Sequence, residues 1–407
     1  MNQLAGQPEI SIVMPCLNEI KTLPACIKKA QETIHNLNLA GEVIIADNGS
    51  TDGSQDLAES LGARVVNVPV RGYGAALIWG IRAAKGNYIV MGDSDDSYDF
   101  REAQAMVEKL ELGYELCMGT RLKGRIMPGA MPWKHRYLGT PVLTAIVNLL
   151  FQASFSDVNC GMRAFTKSAF LQMQMESTGM EFASEMLVKS SILRLRTTEI
   201  PITLHKDGRD RRPHLKTWSD GWRHLKYILL FAPKFIYWIP GLFCLLVGGI
   251  LAIALNLTPE GQPVSFAGFL FNDHWIVVAA LLFLIGYEIL FTGLLAYLYT
   301  LTHRVKQRSV KIEKLIRWVS LEKILLLTAL LLISGLALEF SVIKAWISGD
   351  FANLNAFRPA ITGMALILMS SQTLFSGLFY AVLAEKYENK LLNPSIEEDS
   401  INLSNFK

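Results

Sequence analysis

The sequence predicts an α/β domain with a mostly parallel sheet, followed by about four membrane-crossing helices. Three observations carry this reading. Over roughly the first 230 residues, short apolar runs alternate with amphipathic segments, as happens when helices cover a parallel sheet. Beyond that point come four long apolar stretches, at 236–258, 275–301, 324–343 and 359–384. The chain of 407 residues is 51% hydrophobic and only 18% charged, too apolar for an ordinary soluble protein.

The elements follow in order. "EISIVMP" (9–15) reads as a strand and is followed by an amphipathic helix over 19–37. "EVIIAD" (42–47) leads through the turn-rich "NGSTDGS" into a short helix over 54–61. "ARVVNV" (63–68) precedes a helix over 74–84, and "NYIVMG" (87–92) runs into the acidic "DSDDSYDF". "ELCMG" (115–119) is a fifth strand. In parallel sheets, ligands bind beyond the carboxyl ends of the strands. Those ends carry Pro15, Asn18 and Glu19, then Asp47 and Asn48, then Arg71, then Asp93, Asp95, Asp96 and Asp99. Four polar clusters on one edge indicate a site.

Each later apolar stretch approaches or exceeds the roughly 20 residues that span a bilayer. The link 303–323 is dense in Lys and Arg, whereas 258–274 has none and 346–358 has only Arg358. The bias of positive charge places 303–323, the N-terminal domain and the C-terminal tail on the cytoplasmic side. "MNQLAGQPEIS" lacks the basic start and apolar core of a signal peptide, so the N-terminal domain is expected to stay in the cytoplasm. The second stretch holds one acid, Glu288, which needs a partner or a wet cavity. The five cysteines show no metal-ligand spacing, as suits a reducing compartment.

Two nearby motifs fail. "RGYGAA" (71–76) lacks the third glycine of a dinucleotide fingerprint and follows the third strand, not the first. Asp93, Asp95 and Ser97 do not open an EF-hand, because Tyr98 stands where Gly is required and Gln104 where Glu is required. A D-x-D at a strand end instead aims two carboxylates at one point. That suits Mg²⁺ or Mn²⁺ shared with phosphate oxygens.

"TRLKGRIMPGAMPWKHR" (120–136) supplies Arg121, Lys123, Arg125, Lys134 and Arg136 ahead of the apolar "YLGTPVLTAIVNLLF". Guanidinium groups pair with phosphate by two parallel hydrogen bonds. An apolar helix beside them can lie in a membrane interface. Trp218, Trp222, Leu225 and Leu229 form a second apolar stripe, flanked by Arg223 and Lys226. Before it, "KDGRDRRPHLK" (206–216), with Arg209 and Arg212, is a further phosphate-seeking loop.

"SIVMPCLNE", "VIIADNGSTDGS", "RGYGAAL", "GNYIVMGDSDD", "MGTR", "DVNCGMRAF" and "EFASEML" occur in the order found in family 2 glycosyltransferases of the GT-A fold. The chain most resembles their dolichol-phosphate mannosyltransferase and polyprenyl-phosphate glycosyltransferase branch, over residues 8–235. The resemblance implies a Rossmann-like GT-A domain over 1–204, followed by a basic loop and interfacial helix over 205–235; the apolar stretches and the charge bias add four spans over 236–384 and a cytoplasmic tail over 385–407. It implies that Pro15, Asn18, Glu19, Asp47, Asn48, Arg71 and Asp93 hold the nucleotide, and that Asp93 and Asp95 hold the metal. Asp157, Asp95 and Arg121 are the catalytic candidates; Arg121, Arg136, Arg209 and Arg212 are assigned to the lipid phosphate. Asp157 matches the family's candidate base, although a phosphate monoester is already largely a dianion at neutral pH and needs no strong base. Glu185 matches a family acid. Two positions depart from the pattern: Asn48 stands for a second acid, and Ser97 for a Gln or His.

The expected enzyme is a multi-pass protein of the plasma (inner) membrane. It moves a sugar of the glucose or mannose class from a UDP- or GDP-linked donor to polyprenyl phosphate, with inversion. Nucleotide sugar, polyprenyl phosphate and bilayer are the expected partners, with no nucleic acid, and the reading leaves a homo-oligomer open. A processive polysaccharide synthase requires Q-x-x-R-W, but "KLIRW" (314–318) has Lys314 at the first position. A transporter or flippase would show paired, broken helices, and no clear pair is present.

Overall fold

The computed structural model describes residues 8–209, 217–232, 234–259, 261–266, 268–302, 318–348 and 356–392. Arg212, most of the basic link 303–323, "KLIR" of "KLIRW" and the tail from 393 lie outside the described residues. The chain divides into two compact units, Met1–Phe231 and Ala232–Lys407.

The first unit is built on a seven-stranded sheet: β1 (Ile10–Cys16), β2 (Gly41–Asp47), β3 (Arg64–Asn67), β4 (Tyr88–Met91), β5 (Leu116–Ile126), β6 (Arg163–Thr166) and β7 (Thr197–Leu204). The order is β3-β2-β1-β4-β6-β5-β7. Pairing is parallel except where β6 meets β4 and β5. Helices α1 (Leu23–Leu37), α2 (Ser54–Ser60), α3 (Tyr73–Ala83) and α4 (Ala103–Glu111) connect the early strands. Further along come α5 (Thr140–Phe151), α6 (Lys167–Met173), α7 (Phe182–Ile192) and α8 (Thr217–Leu230).

Alternation along the strands loads both faces of the sheet. Ile10, Ile12 and Met14 of β1 join Val43 and Ile45 of β2 in the core beneath α1 and α4. Val13 and Ile44 point the other way, into the core shared with Leu77 of α3 and Met186 of α7. Truncating one of these fully buried aliphatic side chains to alanine costs about 2–5 kcal/mol. In α1, Leu23, Cys26, Ile27 and Ala30 form the buried stripe, and the helix stops where Asn38 turns left-handed at φ 53°.

The register fixes the site edge. Cys16 lies opposite Asp47 and Asp47 opposite Asn67, so β1, β2 and β3 end together, while Met91 lies opposite Val13, so β4 stops three residues short of the end of β1. The connection direction reverses between β1 and β4, which opens a crevice at their carboxyl ends. The sequence reading differs at β5, which continues to Ile126 beside β7. Arg121, Lys123 and Arg125 therefore sit on a strand and not in a loop. Gly124 allows this, since a Cβ there would lie 2.0 Å from the Ile202 carbonyl oxygen.

The second unit contains α9 (Ile239–Leu257), a hairpin of β8 (Val264–Phe266) and β9 (Phe269–Phe271), α10 (Trp275–Thr302), α11 (Leu321–Ser348) and α12 (Phe357–Leu392). Four helical segments are long and apolar enough to cross a membrane: Phe235–Leu257, Trp275–Tyr299, Leu321–Ser348 and Phe357–Glu385. They coincide with the four apolar stretches of the sequence. Gly248 sits against Ala279, and Gly335 against Gly363 and Ile367, the close approach that small residues give membrane helices.

Candidate active site

The end of β1 is knitted to the turn after β2. Asn18, left-handed at φ 58°, donates its N–H to Ser50 Oγ at 2.8 Å and accepts from the Thr51 N–H at 2.7 Å. The Glu19 N–H donates to Ser54 Oγ at 3.1 Å, and Pro15 accepts from Ser94 Oγ at 2.6 Å. Asp47 is buried, and its Oδ2 accepts from the N–H groups of Gly49 and Ser50 and from Gln55. Its Oδ1 is buried with no hydrogen-bond partner among the described residues. Asn48 latches the next turn, donating to Val70 O at 2.8 Å and accepting from the Gly72 N–H at 2.7 Å. Arg71 is exposed beside it.

The glycines of "RGYGAA" are explained by packing. A Cβ at Gly74 would lie 2.1 Å from the Ser177 carbonyl oxygen, so the turn fits only without one. Between those glycines, Tyr73 lies beside Asp93, and its hydroxyl acts to lower the Asp93 carboxyl against the burial that raises it.

The four aspartates after β4 separate into two pairs. Asp96 takes Lys29 at 2.6 Å, and Asp99 takes Arg101 at 2.7 Å. Asp93 and Asp95 are left for the crevice. Burial first, and the charge of Asp95 second, push the Asp93 carboxyl up to about 6. Asp95 Oδ1 accepts from the Ser97 N–H at 3.0 Å and from Ser97 Oγ at 2.5 Å. Its Oδ2 lies 3.2 Å from Arg209, whose Nε also donates to Glu19 at 2.8 Å. Arg209, which the sequence reading assigned to the lipid phosphate, thus sits on the carboxylates of Glu19 and Asp95, which the same reading assigned to the nucleotide and the metal. The backbone guides it there: the Gly208 N–H donates to Asp95 O at 3.0 Å, and the His205 N–H to Ser97 O at 2.9 Å.

Arg121 and Asp157 are placed on each other. Asp157 is fully buried and accepts from Arg121 Nε at 2.7 Å and Nη2 at 2.8 Å. Arg136 is exposed on the π-helical turn His135–Gly139, its guanidinium 5.4 Å from the Tyr137 ring centre. Glu185 is buried against Lys189 at 2.6 Å and accepts the N–H groups of Glu176 and Ser177. It anchors the loop that packs on Gly74.

Sequence reasoning gave no role to Arg163. It is fully buried and donates to the carbonyls of Val158, Cys160 and Ala183. These bonds hold the loop from Asp157 to Gly161 in shape. Gly161 in turn lies so close to Asp93 that a Cβ there would be 2.7 Å from Oδ2. A charged residue inside a short strand was the available signal.

The donor set fits a hard divalent cation. Among the described residues no three His, Cys, Asp or Glu side chains cluster as a complete metal cage. Two carboxylates at a strand end leave the remaining positions to water and diphosphate oxygens, the usual arrangement for Mg²⁺ and Mn²⁺.

Comparison with known proteins shows the family. The model for glycosyl transferase family 2 matches residues 11–173, and that for the family 2 C-terminal transmembrane region matches 294–384. The low-salt glycan biosynthesis hexosyltransferase Agl6 of Haloferax volcanii is 33% identical over 93% of this chain and 90% of its own. The chain belongs to glycosyl transferase family 2. The glycosyltransferase AglJ of Haloferax volcanii is 28% identical over 74% of this chain and 97% of its own. Among solved structures, glucosyl-3-phosphoglycerate synthase from Mycobacterium tuberculosis is similar at 23% identity, with a TM-score of 0.46 over 56% of this chain and 81% of that one. This family 2 glycosyltransferase thus pairs a GT-A catalytic domain with a multi-pass membrane region.

Proposed function

We propose that the protein transfers one sugar from a nucleotide-sugar donor to polyprenyl phosphate at the cytoplasmic face of the plasma membrane. The product is a lipid-phosphate sugar for glycan assembly. The observation that carries the acceptor is the segment after β5. Trp133, Tyr137 and Leu138 are 66%, 68% and 59% exposed, with the cations Lys134 and Arg136 between them. Aromatic bodies and cationic tips in one stretch fit a headgroup layer better than bulk water. α8 supports the same reading: it packs through His224 and Ile228 and leaves Trp222 exposed.

Asp47 Oδ1 accepts an N–H of the base, UDP or GDP, while Asn18 and Glu19 line the nucleoside. Asp93 and Asp95 would hold Mg²⁺ or Mn²⁺, which would neutralise charge on the departing diphosphate. The acceptor phosphate attacks the anomeric carbon from the face opposite the leaving group, so the configuration inverts. Arg121 and Arg136 orient that phosphate, and Asp157 holds the Arg121 fork in line. Arg209, paired with Glu19 and Asp95, contacts the incoming phosphates, with Arg212 three residues further along the chain.

The test is to offer a panel of nucleotide sugars with polyprenyl phosphate and weigh the lipid product. One hexose added to the lipid phosphate is the expected mass. A growing polymer, or sugar transferred only to a water-soluble acceptor, overturns the reading.

A further inference from the structure

The 28 residues of α10 present three faces. One packs against α9 and the turn before it: a Cβ at Gly286 would lie 2.3 Å from the Leu245 nitrogen, and one at Gly293 would lie 2.5 Å from Tyr237 Cβ. A second meets α12 and α11, where Tyr287 hydrogen-bonds Thr373 at 2.6 Å and Leu298 clusters with Ile324 and Tyr380. The third carries Leu281, Ile285, Glu288 and Thr292, at spacings of 4, 3 and 4 residues. Leu281 and Ile285 are 55% and 41% exposed, Glu288 is exposed and Thr292 half-buried.

Glu288 lies 13 residues from Trp275 and 14 from Thr302. At about 1.5 Å per residue that is close to 20 Å from either end, in the middle of a hydrocarbon core roughly 30 Å thick. Among the described residues it has no hydrogen bond or ion pair. A carboxyl group left facing acyl chains at that depth is costly, and such groups persist where another polar group meets them. No cation of the described spans is at this level: Lys323 and Lys344 lie towards the ends of α11, and Arg358 begins α12.

We propose that this face of α10 is the contact between two copies of the chain, with the two Glu288 carboxyl groups meeting across a two-fold axis normal to the bilayer. Two copies insert with the same orientation, so the axis brings Glu288 to its equivalent at the same depth without a further partner. In that pair the two carboxyl groups hydrogen-bond each other across the axis. The 4-3-4 spacing is the seam of a parallel, left-handed helix pair. A polar residue on such a seam adds attraction that packing in lipid alone does not supply.

The full-length protein in its own membranes tests this, with Cys244→Ala removing the one cysteine of the membrane unit and the other four left buried. Leu281→Cys, Ile285→Cys and Thr292→Cys are oxidised one at a time. Ile333→Cys, 65% exposed on α11, serves as the collision control. A disulfide-linked band of twice the chain mass should form at the three seam positions, several-fold above the control. Equal cross-linking at all four, no band at the seam, or a band of another mass overturns the contact. Light scattering in detergent supplies the second measurement. Glu288→Gln should keep the dimer, because two amides can pair as two carboxyls do. Glu288→Leu should weaken it roughly three- to thirtyfold. An unchanged dimer in Glu288→Leu overturns the carboxyl pairing.

Discussion

Arg121 grips Asp157 with two side-chain nitrogens, at 2.7 and 2.8 Å, and its own backbone N–H donates to the same carboxylate at 3.0 Å. Asp157 is fully buried and the Arg121 side chain only 11% exposed, so the pair behaves as one rigid unit. Removing one member of a buried pair strands the other charge, at a cost of about 3–5 kcal/mol. Arg121→Ala and Asp157→Asn should each slow transfer on the order of tenfold to a hundredfold, the worth of a charge-assisted contact. The double variant should be little slower than the worse single one, because both remove the same unit. Donor affinity by calorimetry should hardly move. Additive losses would mean that the two side chains act separately, with Asp157 in a proton-transfer role.

Asp93 and Asp95 are two like charges at the end of one strand. Transfer should vanish with excess chelator and return with Mn²⁺ or Mg²⁺, and Asp95→Asn should lose most activity while the domain stays folded. Asp93→Asn should raise the melting temperature in chelator, since it removes a buried charge beside Asp95, and abolish the gain that Mn²⁺ confers on the natural protein. Full activity in chelator would remove the metal from the site.

The first four strands were readable because each is a short apolar run, the first three leading to a helix and the fourth to the acidic loop. β6 and β7 were not. β6 has four residues and begins with the buried Arg163, while β7, "TTEIPITL", carries Glu199 and Pro201. β7 is the last strand of its sheet, where a missing N–H is tolerated. The strand-end clusters were legible as clusters, because the parallel register stacks consecutive strand ends. Their long-range partners were not: 36 residues separate Arg121 from Asp157, and 190 separate Glu19 from Arg209. Nothing local in a sequence encodes which guanidinium reaches which carboxylate over such distances.

Glu42 supplies the pH prediction. It accepts from Ser11 at 2.9 Å, from Arg64 at 2.7 Å and from the Lys85 N–H at 2.7 Å, tying β1, β2, β3 and the entry to β4. Burial raises its carboxyl, but the Lys85 N–H and the Arg64 guanidinium outweigh burial and hold it below the ordinary value of 4.5. A depressed folded value means that the stabilisation is complete above the unfolded value and disappears as pH falls through the folded one. The N-terminal unit should therefore lose stability below about pH 4.5, and Glu42→Gln should be less stable at neutral pH with a flatter acid limb. The buried thiols of Cys16, Cys26, Cys117 and Cys160 report this unfolding, because they react with a maleimide dye only when the unit opens. An unchanged acid limb in Glu42→Gln would assign it to other carboxylates.

The membrane orientation rests on a charge count that the structure sharpens. Arg358 is the one cation of 346–358 and could weaken the asymmetry if it faced water. It is instead 1% exposed, with Nε donating to Asp273 at 2.8 Å and its other nitrogens to the carbonyls of Leu255, Thr258 and Gln262. A guanidinium neutralised by a carboxylate and capped by helix-end carbonyls is a structural clasp between α9, α10 and α12. It leaves 258–274 and 346–358 with no solvated cation to hold them in the cytoplasm, while 303–323 keeps Arg304, Lys306, Arg308, Lys311, Lys314, Arg317 and Lys323. Cysteines placed at Ser265, in β8, and at Ser309, in the basic link, should consequently react from opposite faces in a Cys244→Ala background. An impermeant maleimide on intact cells should label Ser265→Cys directly, and Ser309→Cys only after the membrane is opened. The Arg358→Gln variant should leave this pattern unchanged, because the inner cations set it, yet lower the melting temperature of the membrane unit. Labelling of both positions from one face would mean that α10 does not cross the bilayer, and the four-span arrangement would have to be redrawn.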